Sequence, residues 1–309
     1  MDCLRDLCKD LKRSNDEVFK GFIPVIYQLL FQLFTLFSGQ VKNSKNLRDD
    51  LDVLTSRQLN GERIDKVEVE SLNTAYEESE KRLNFLQKEY NAMKTPLSVV
   101  LMRIAQVNPD TFVSFIADFT KYIQRFNGKV PPLQTTTIDG KATLNFAPVC
   151  ADGACLFRAF LTSLANQINP KIILPYDPEE IHLWIIRLKF LMLGQILEMA
   201  KDPDFLLNLT HIPRNGKVEN LMDYFGIFLS YDYNGTDIDF KILSTLFQRR
   251  IHIISENPKF PHQCFVPKGS QGATKPSMAD ICILHQSYHF VAIVGFEQIN
   301  LPAAAFACV

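Results

Sequence analysis

Apolar residues recur at helical spacing through about the first 130 positions and at strand spacing only after about position 140. The clearest helical stretch runs from Glu62 to Lys94. Val69, Leu72, Tyr76, Ser79, Leu83, Leu86, Tyr90 and Met93 alternate in steps of three and four, with Glu77, Glu78, Glu80, Lys81 and Arg82 around the seam. Leu47, Leu51 and Leu54 repeat the spacing upstream, and Gln58-Leu59-Asn60-Gly61 reads as a turn, so an antiparallel helical hairpin is expected. Thr95-Pro96 predicts a helix break. Leu97 to Val107 and Pro109 to Phe126 read as further apolar helices, closed by Asn127-Gly128 and Pro131-Pro132. The Thr-rich stretch from Leu133 to Asp139 reads as a linker. The expected division is a helical region over 1–130, a linker over 131–143 and a second domain over 144–309.

Phe22 to Phe37 is mostly apolar but shorter than a spanning helix requires, and it carries Pro24, Gln28 and Gln32. The two glutamines share one helix face, which predicts a core or partner-facing helix rather than a membrane segment. The helical region as a whole reads as a packed bundle or as an arm that binds a protein partner.

Beyond residue 140, helical stretches alternate with short β-rich runs. Ile251-His252-Ile253-Ile254, Ile281-Cys282-Ile283-Leu284 and Phe290-Val291-Ala292-Ile293-Val294 read as strands. A mixed α/β domain is predicted.

Charge and cysteine content narrow the partners. Lys+Arg 33 against Asp+Glu 34 leaves a net charge of −1, too little positive charge for a dedicated nucleic-acid binder. The 7 cysteines form no C-x-x-C pair and are scattered, as expected of free thiols in the cytoplasm. His285-Gln286-Ser287-Tyr288-His289 has the spacing of a zinc-binding H-E-x-x-H helix. Glutamine replaces the essential glutamate and the flanks are strand-like, so neither a metal nor a cofactor is expected.

The segment carrying chemistry is Val149-Cys150-Ala151-Asp152-Gly153-Ala154-Cys155-Leu156-Phe157-Arg158-Ala159-Phe160. Asp152-Gly153 is a turn signal, and Leu156, Ala159, Phe160, Ser163 and Leu164 continue it as a helix. Cys155 therefore falls at a helix N-terminus. There the positive end of the dipole favours a thiolate, and the N–H groups, with those of Gly153 and Ala154, suit a developing oxyanion. His289, between a loop and a C-terminal strand, is the candidate base. Asp152 also reads as a helix cap, and Cys150 lacks the turn-plus-helix setting of Cys155.

Asp152-Gly153-Ala154-Cys155-Leu156-Phe157-Arg158-Ala159 resembles the nucleophile motif, Asp-Gly-Asn-Cys-Leu-Phe-Arg-Ala, of the ovarian-tumour (OTU) cysteine proteases, which are deubiquitinases. The resemblance continues in order over roughly residues 144–296. Trp184-Ile185-Ile186-Arg187 and Asp202 to Leu206 look like the family's second helix and its end. Tyr233 to Asp239 looks like the segment before its third helix, and Tyr288-His289-Phe290 like the element that carries its histidine. This resemblance implies an αβα sandwich of the papain-like superfamily, with Cys155 as nucleophile and His289 as base. Its substrate would be ubiquitin or a ubiquitin-like modifier. Asn234, Gly235 and Asp237 would line the channel for the modifier's tail. Two positions depart from the family pattern. Ala154 replaces the motif asparagine. Val291 stands where an Asp or Asn usually orients the histidine; the resemblance then implies Asp152, the motif aspartate, as the first substitute for the third member, with a carboxylate from elsewhere in the chain as the other. Three alternatives remain at this point: an OTU-like module that binds ubiquitin with little or no cleavage, an interaction protein whose helical region does the main work, and a viral polyprotein-processing protease. A pathogen effector or viral protein would act in the host cytosol.

Overall fold

The computed structural model describes residues 2–60, 62, 64–107, 112–126, 132–138, 142–149, 153–172, 174, 179–210, 220–229, 233, 235–257, 260, 262–267, 279–286, 289–299 and 306–308. Four helices come first: α1 (Asp2–Leu11), α2 (Asp16–Leu59), α3 (Lys66–Val107) and α4 (Phe112–Arg125). A hairpin follows, β1 (Gln134–Ile138) and β2 (Ala142–Ala147). Then come α5 (Cys155–Ile168), α6 (Glu179–Met199), α7 (Pro203–Thr210), α8 (Leu221–Phe228) and α9 (Asp237–Phe247). The chain ends in β3 (Ile251–Ser255), β4 (His262–Phe265), β5 (Ile281–Gln286), β6 (His289–Ile299) and β7 (Phe306–Cys308). The protein is thus a mixed α/β fold with a helical N-terminal region.

The strands form one sheet in the order β1-β2-β6-β5-β3-β4-β7. Neighbours are antiparallel except β3 with β5 and β4 with β7. Alternate side chains leave the sheet on opposite faces. Ile251, Ile253, Ile281, Ile283 and Ala292 join the large core that holds the helices. Ile254, Cys264, Cys282, Leu284, Val291 and Ile293 belong to a smaller cluster with Val149 and Cys155.

The expected hairpin is present as α2 against α3, but Thr95-Pro96 does not end α3, which continues to Val107. Proline removes one helical N–H bond and costs up to about 3 kcal/mol in a helix interior. Met93, Leu97, Val100, Leu101 and Ile104 are buried on both sides of it, and their packing outweighs that loss.

Within the stretch 131–143, expected as a linker, the described residues from Gln134 to Ile138 and from Ala142 onward are strand. Thr135, Thr136 and Thr137 are β-branched and form β1 at the sheet edge, paired with β2 over Gln134↔Phe146 to Ile138↔Ala142. Thr135 Oγ1 donates to Asn145 Oδ1 at 3.0 Å across the pair.

The helical region does not have a core of its own. Phe115 and Phe119 of α4 pack edge-on against Trp184 of α6, and Phe112 packs against Phe247 of α9. Tyr90 Oη of α3 donates to the Gly226 carbonyl of α8 at 3.2 Å. Cores continuous in this way do not separate cleanly into units at residue 130.

Ile23, Ile26, Leu30, Leu33 and Phe37 of α2 are buried in this core, whereas Phe22, Val25 and Leu36 are exposed. Gln28 and Gln32 lie on the exposed side rather than in the core. By length and composition alone α2 could cross a membrane; 31% of its most apolar 18-residue window is buried in the protein.

Candidate active site

Cys155 is the first residue of α5. The turn before it is set by Gly153, whose φ of 80° lies in the left-handed region that glycine enters without steric cost. A helix's first N–H groups have no i−4 carbonyl, and Ala154 supplies no side-chain cap. Backbone donors and the positive end of the dipole are therefore concentrated at Cys155. Ala154 and Cys155 are recessed, at 2% and 6% exposure.

His289 is the first residue of β6 and faces the same side of the sheet as Val291, two positions on. Its Nε2 lies 3.0 Å from the Val149 carbonyl oxygen. A carbonyl only accepts, so Nε2 carries the proton. The contact follows from strand register. Phe146 pairs with Ile293 and Ala147 with Ala292, so the chain leaving β2 runs on toward the start of β6. Val149, Cys155 and Val291 all belong to the small apolar cluster on that face. The histidine singled out in the sequence thus bonds to Val149, a member of the same apolar cluster as the cysteine. Asp152 and Asn234, also singled out, lie outside the described residues, as does Cys150.

Gly235 and Asp237 stand at the entry to α9, next to the first turn of α5. A β-carbon on Gly235 would lie 2.3 Å from Leu156 Cδ1 and 2.8 Å from Leu156 Cβ. Gly235 is thus packed directly against Leu156. Asp237 Oδ2 accepts from Gln263 Nε2 at 3.1 Å.

The loop into α9 is held by buried polar groups that the sequence reading passed over. Asp239 accepts from the Thr236 N–H at 2.7 Å and from Tyr233 Oη at 2.8 Å. Burial pushes its carboxyl up to about 6, against the pull of these hydrogen bonds and the Lys189 charge. Burial and Asp239 together push the Tyr233 and Tyr224 phenols up. Lys189, fully buried on α6, donates to the Phe228 carbonyl at 2.9 Å. Its ammonium lies 4.7 Å from the Phe157 ring centroid and 5.3 Å from that of Tyr233. Phe157 is two residues from Cys155, so this network braces both the nucleophile helix and the neighbouring loop. Two sequence signals mark it: Thr236 three residues before Asp239, a capping-box pattern, and a lysine inside the apolar run Leu188-Lys189-Phe190.

Arg158 is buried and internal rather than turned to a substrate. Its Nη2 lies 2.6 Å from His182 Nε2, and His182 Nδ1 lies 3.4 Å from Thr35 Oγ1. Arginine only donates, so His182 accepts through Nε2 and donates through Nδ1 to α2. His285 stacks on Phe290 at 4.9 Å, on the sheet face opposite to His289. Burial pulls its imidazole down, partly offset by Asp237. Among the described residues no group of three or more His, Cys, Asp or Glu is arranged to hold a metal ion. No protein-family model matches the chain, and no curated protein sequence matches it.

Proposed function

We propose that this protein is a cysteine-dependent deubiquitinase of the OTU type. It would hydrolyse the isopeptide bond after the C-terminal glycine of ubiquitin or a ubiquitin-like modifier. The observation that supports the reading is that Cys155, which opens a helix, shares an apolar cluster with Val149, and that His289, which opens a strand far away in sequence, bonds to the Val149 carbonyl. The order of motifs from Asp152 to Phe290 supports the choice of substrate class.

In this reading His289 takes the Cys155 thiol proton as sulfur attacks the carbonyl carbon. A C–S bond forms and the carbonyl π pair moves to oxygen, where first-turn N–H groups of α5 stabilise it. The oxyanion collapses, the C–N bond breaks, and His289 returns the proton to the departing lysine amine. Water, deprotonated by His289, then cleaves the thioester and releases the modifier's carboxylate.

A second reading is a module that holds ubiquitin without cleaving it. The 6% exposure of Cys155 favours it, because a recessed sulfur is less open to an acyl group. Reaction with ubiquitin bearing a thiol-reactive C-terminal electrophile separates the two. A covalent adduct in the wild type, absent in Cys155→Ala and much slower in His289→Ala, is the expected result. Non-covalent binding without an adduct would replace the protease reading with the binding one, and neither adduct nor binding would remove ubiquitin as the partner.

A further inference from the structure

We infer that the main-chain carbonyl of Val149 is the group that orients His289, in the place where a Cys-His enzyme ordinarily uses a carboxylate or amide side chain. This rests on the protease reading above. Three observations carry it. The Val149 oxygen lies 3.0 Å from His289 Nε2 and can only accept, so it selects the Nε2–H tautomer. That choice leaves Nδ1 as the basic nitrogen for the Cys155 thiol. The position two residues after His289 is filled by Val291, an apolar side chain 2% exposed in the same cluster as Val149 and Cys155. The acceptor is also built into the fold, because the β2–β6 register carries residue 149 to the start of β6.

The arrangement has a chemical consequence. A carbonyl fixes ring orientation as a carboxylate does, but it has no charge with which to stabilise the imidazolium. It also cannot be protonated at any working pH, so the base is oriented independently of acid titration nearby. Val149 and Cys155 lie on one short piece of chain, with the left-handed Gly153 between them. The orientation of the base and the position of the nucleophile are thus set by a single segment. Val149 is a positioning residue in this scheme, acting through His289.

The test reads the tautomer directly. With histidine labelled by ¹⁵N in the full chain, His289 should show a protonated, pyrrole-type Nε2 and a pyridine-type Nδ1 in its neutral form. The same pattern should persist in Asp152→Asn. Val291→Asn, which offers His289 a side-chain acceptor, should leave the rate of ubiquitin-electrophile labelling within about twofold. An imidazole with no acceptor would gain on the order of tenfold or more from one. A neutral His289 protonated on Nδ1, a tautomer that changes in Asp152→Asn, or a large gain in Val291→Asn would each overturn the inference while labelling of the wild type leaves the protease reading standing. If Val291→Asn does not fold, the two tautomer measurements decide alone. A wild-type chain that never labels would overturn the protease reading, and the positioning role with it.

Discussion

A β-carbon added to Gly235 would lie 2.3 Å from the Cδ1 of Leu156, the residue next to Cys155. The loop into α9 and the first turn of α5 thus touch at a point where only hydrogen fits. Leu156 is fully buried, so it cannot swing into solvent to make room. Gly235→Ala is expected to push the nucleophile turn away and to cost about 1–3 kcal/mol, the usual price of overpacking. Urea unfolding measures the loss, and labelling of Cys155 should slow by more than the unfolded fraction accounts for. Unchanged stability and unchanged labelling would show that α5 yields at this contact.

Asp239 gives the fold a pH dependence of defined sign. Its carboxyl ionises near 3.8 in an unfolded chain and at about 6 when buried. Between those values the folded protein holds a proton that the unfolded chain has released. The group's stabilising contribution is therefore complete below about 3.8 and is lost as pH rises through about 6. The slope it contributes inside that window approaches about 1.4 kcal/mol per pH unit. Asp239→Asn should flatten that segment of the stability–pH curve, measured by urea unfolding across the window. A slope that survives the substitution would assign it to another group.

The parts of this architecture written in local side-chain chemistry were legible before the fold was known. Asp152-Gly153 announced the turn, and the structure gives Gly153 the positive φ that the dipeptide suggests. The β-branched runs at Ile251, Ile281 and Phe290 became β3, β5 and β6 because period-2 burial suits a sheet with a core on both faces. Pro96 misled because its local cost is set against burial of Met93, Leu97 and Val100 on partners from other elements. The threonines of β1 read as a linker because a short edge strand gains its stability from a pairing partner, not from its own composition. The contact of Val149 with His289 had no signature, since a main-chain carbonyl looks the same at every residue.

Lys189 and Asp239 should behave as a coupled pair. The Lys189 charge lowers the Asp239 carboxyl; Lys189 is buried among Phe157, Phe228 and Tyr233, and Tyr233 donates to Asp239. Lys189→Met removes the charge that lowers the Asp239 carboxyl and strands the Phe228 carbonyl, a loss expected to cost about 1–3 kcal/mol. Adding Asp239→Asn should recover part of that loss, a non-additivity that two independent sites would not show. Chemical denaturation of the two single variants and the double variant completes the cycle. Additive losses would mean that the two groups are stabilised separately.

The cysteines provide a test that needs no ubiquitin. Burial pushes the Cys8 thiol up to about 11, and burial together with Asp280 and Cys264 pushes Cys282 higher still. Alkylation requires the thiolate, so at neutral pH both should react only when the surrounding structure opens. Cys155 is also recessed, but it opens α5, and in the protease reading it draws on His289, whose Nε2 is engaged by Val149. A small neutral reagent such as iodoacetamide should therefore modify Cys155 before Cys8 and Cys282 in the folded chain, with those two following at the rate of opening. Peptide mass spectrometry over a time course reads the order. His289→Ala should slow Cys155 while leaving Cys8 and Cys282 unchanged, because only Cys155 draws on the imidazole. If Cys155 instead reacted in step with Cys8 and Cys282 in the wild type, it would be a packed core thiol, and the binding reading would replace the catalytic one.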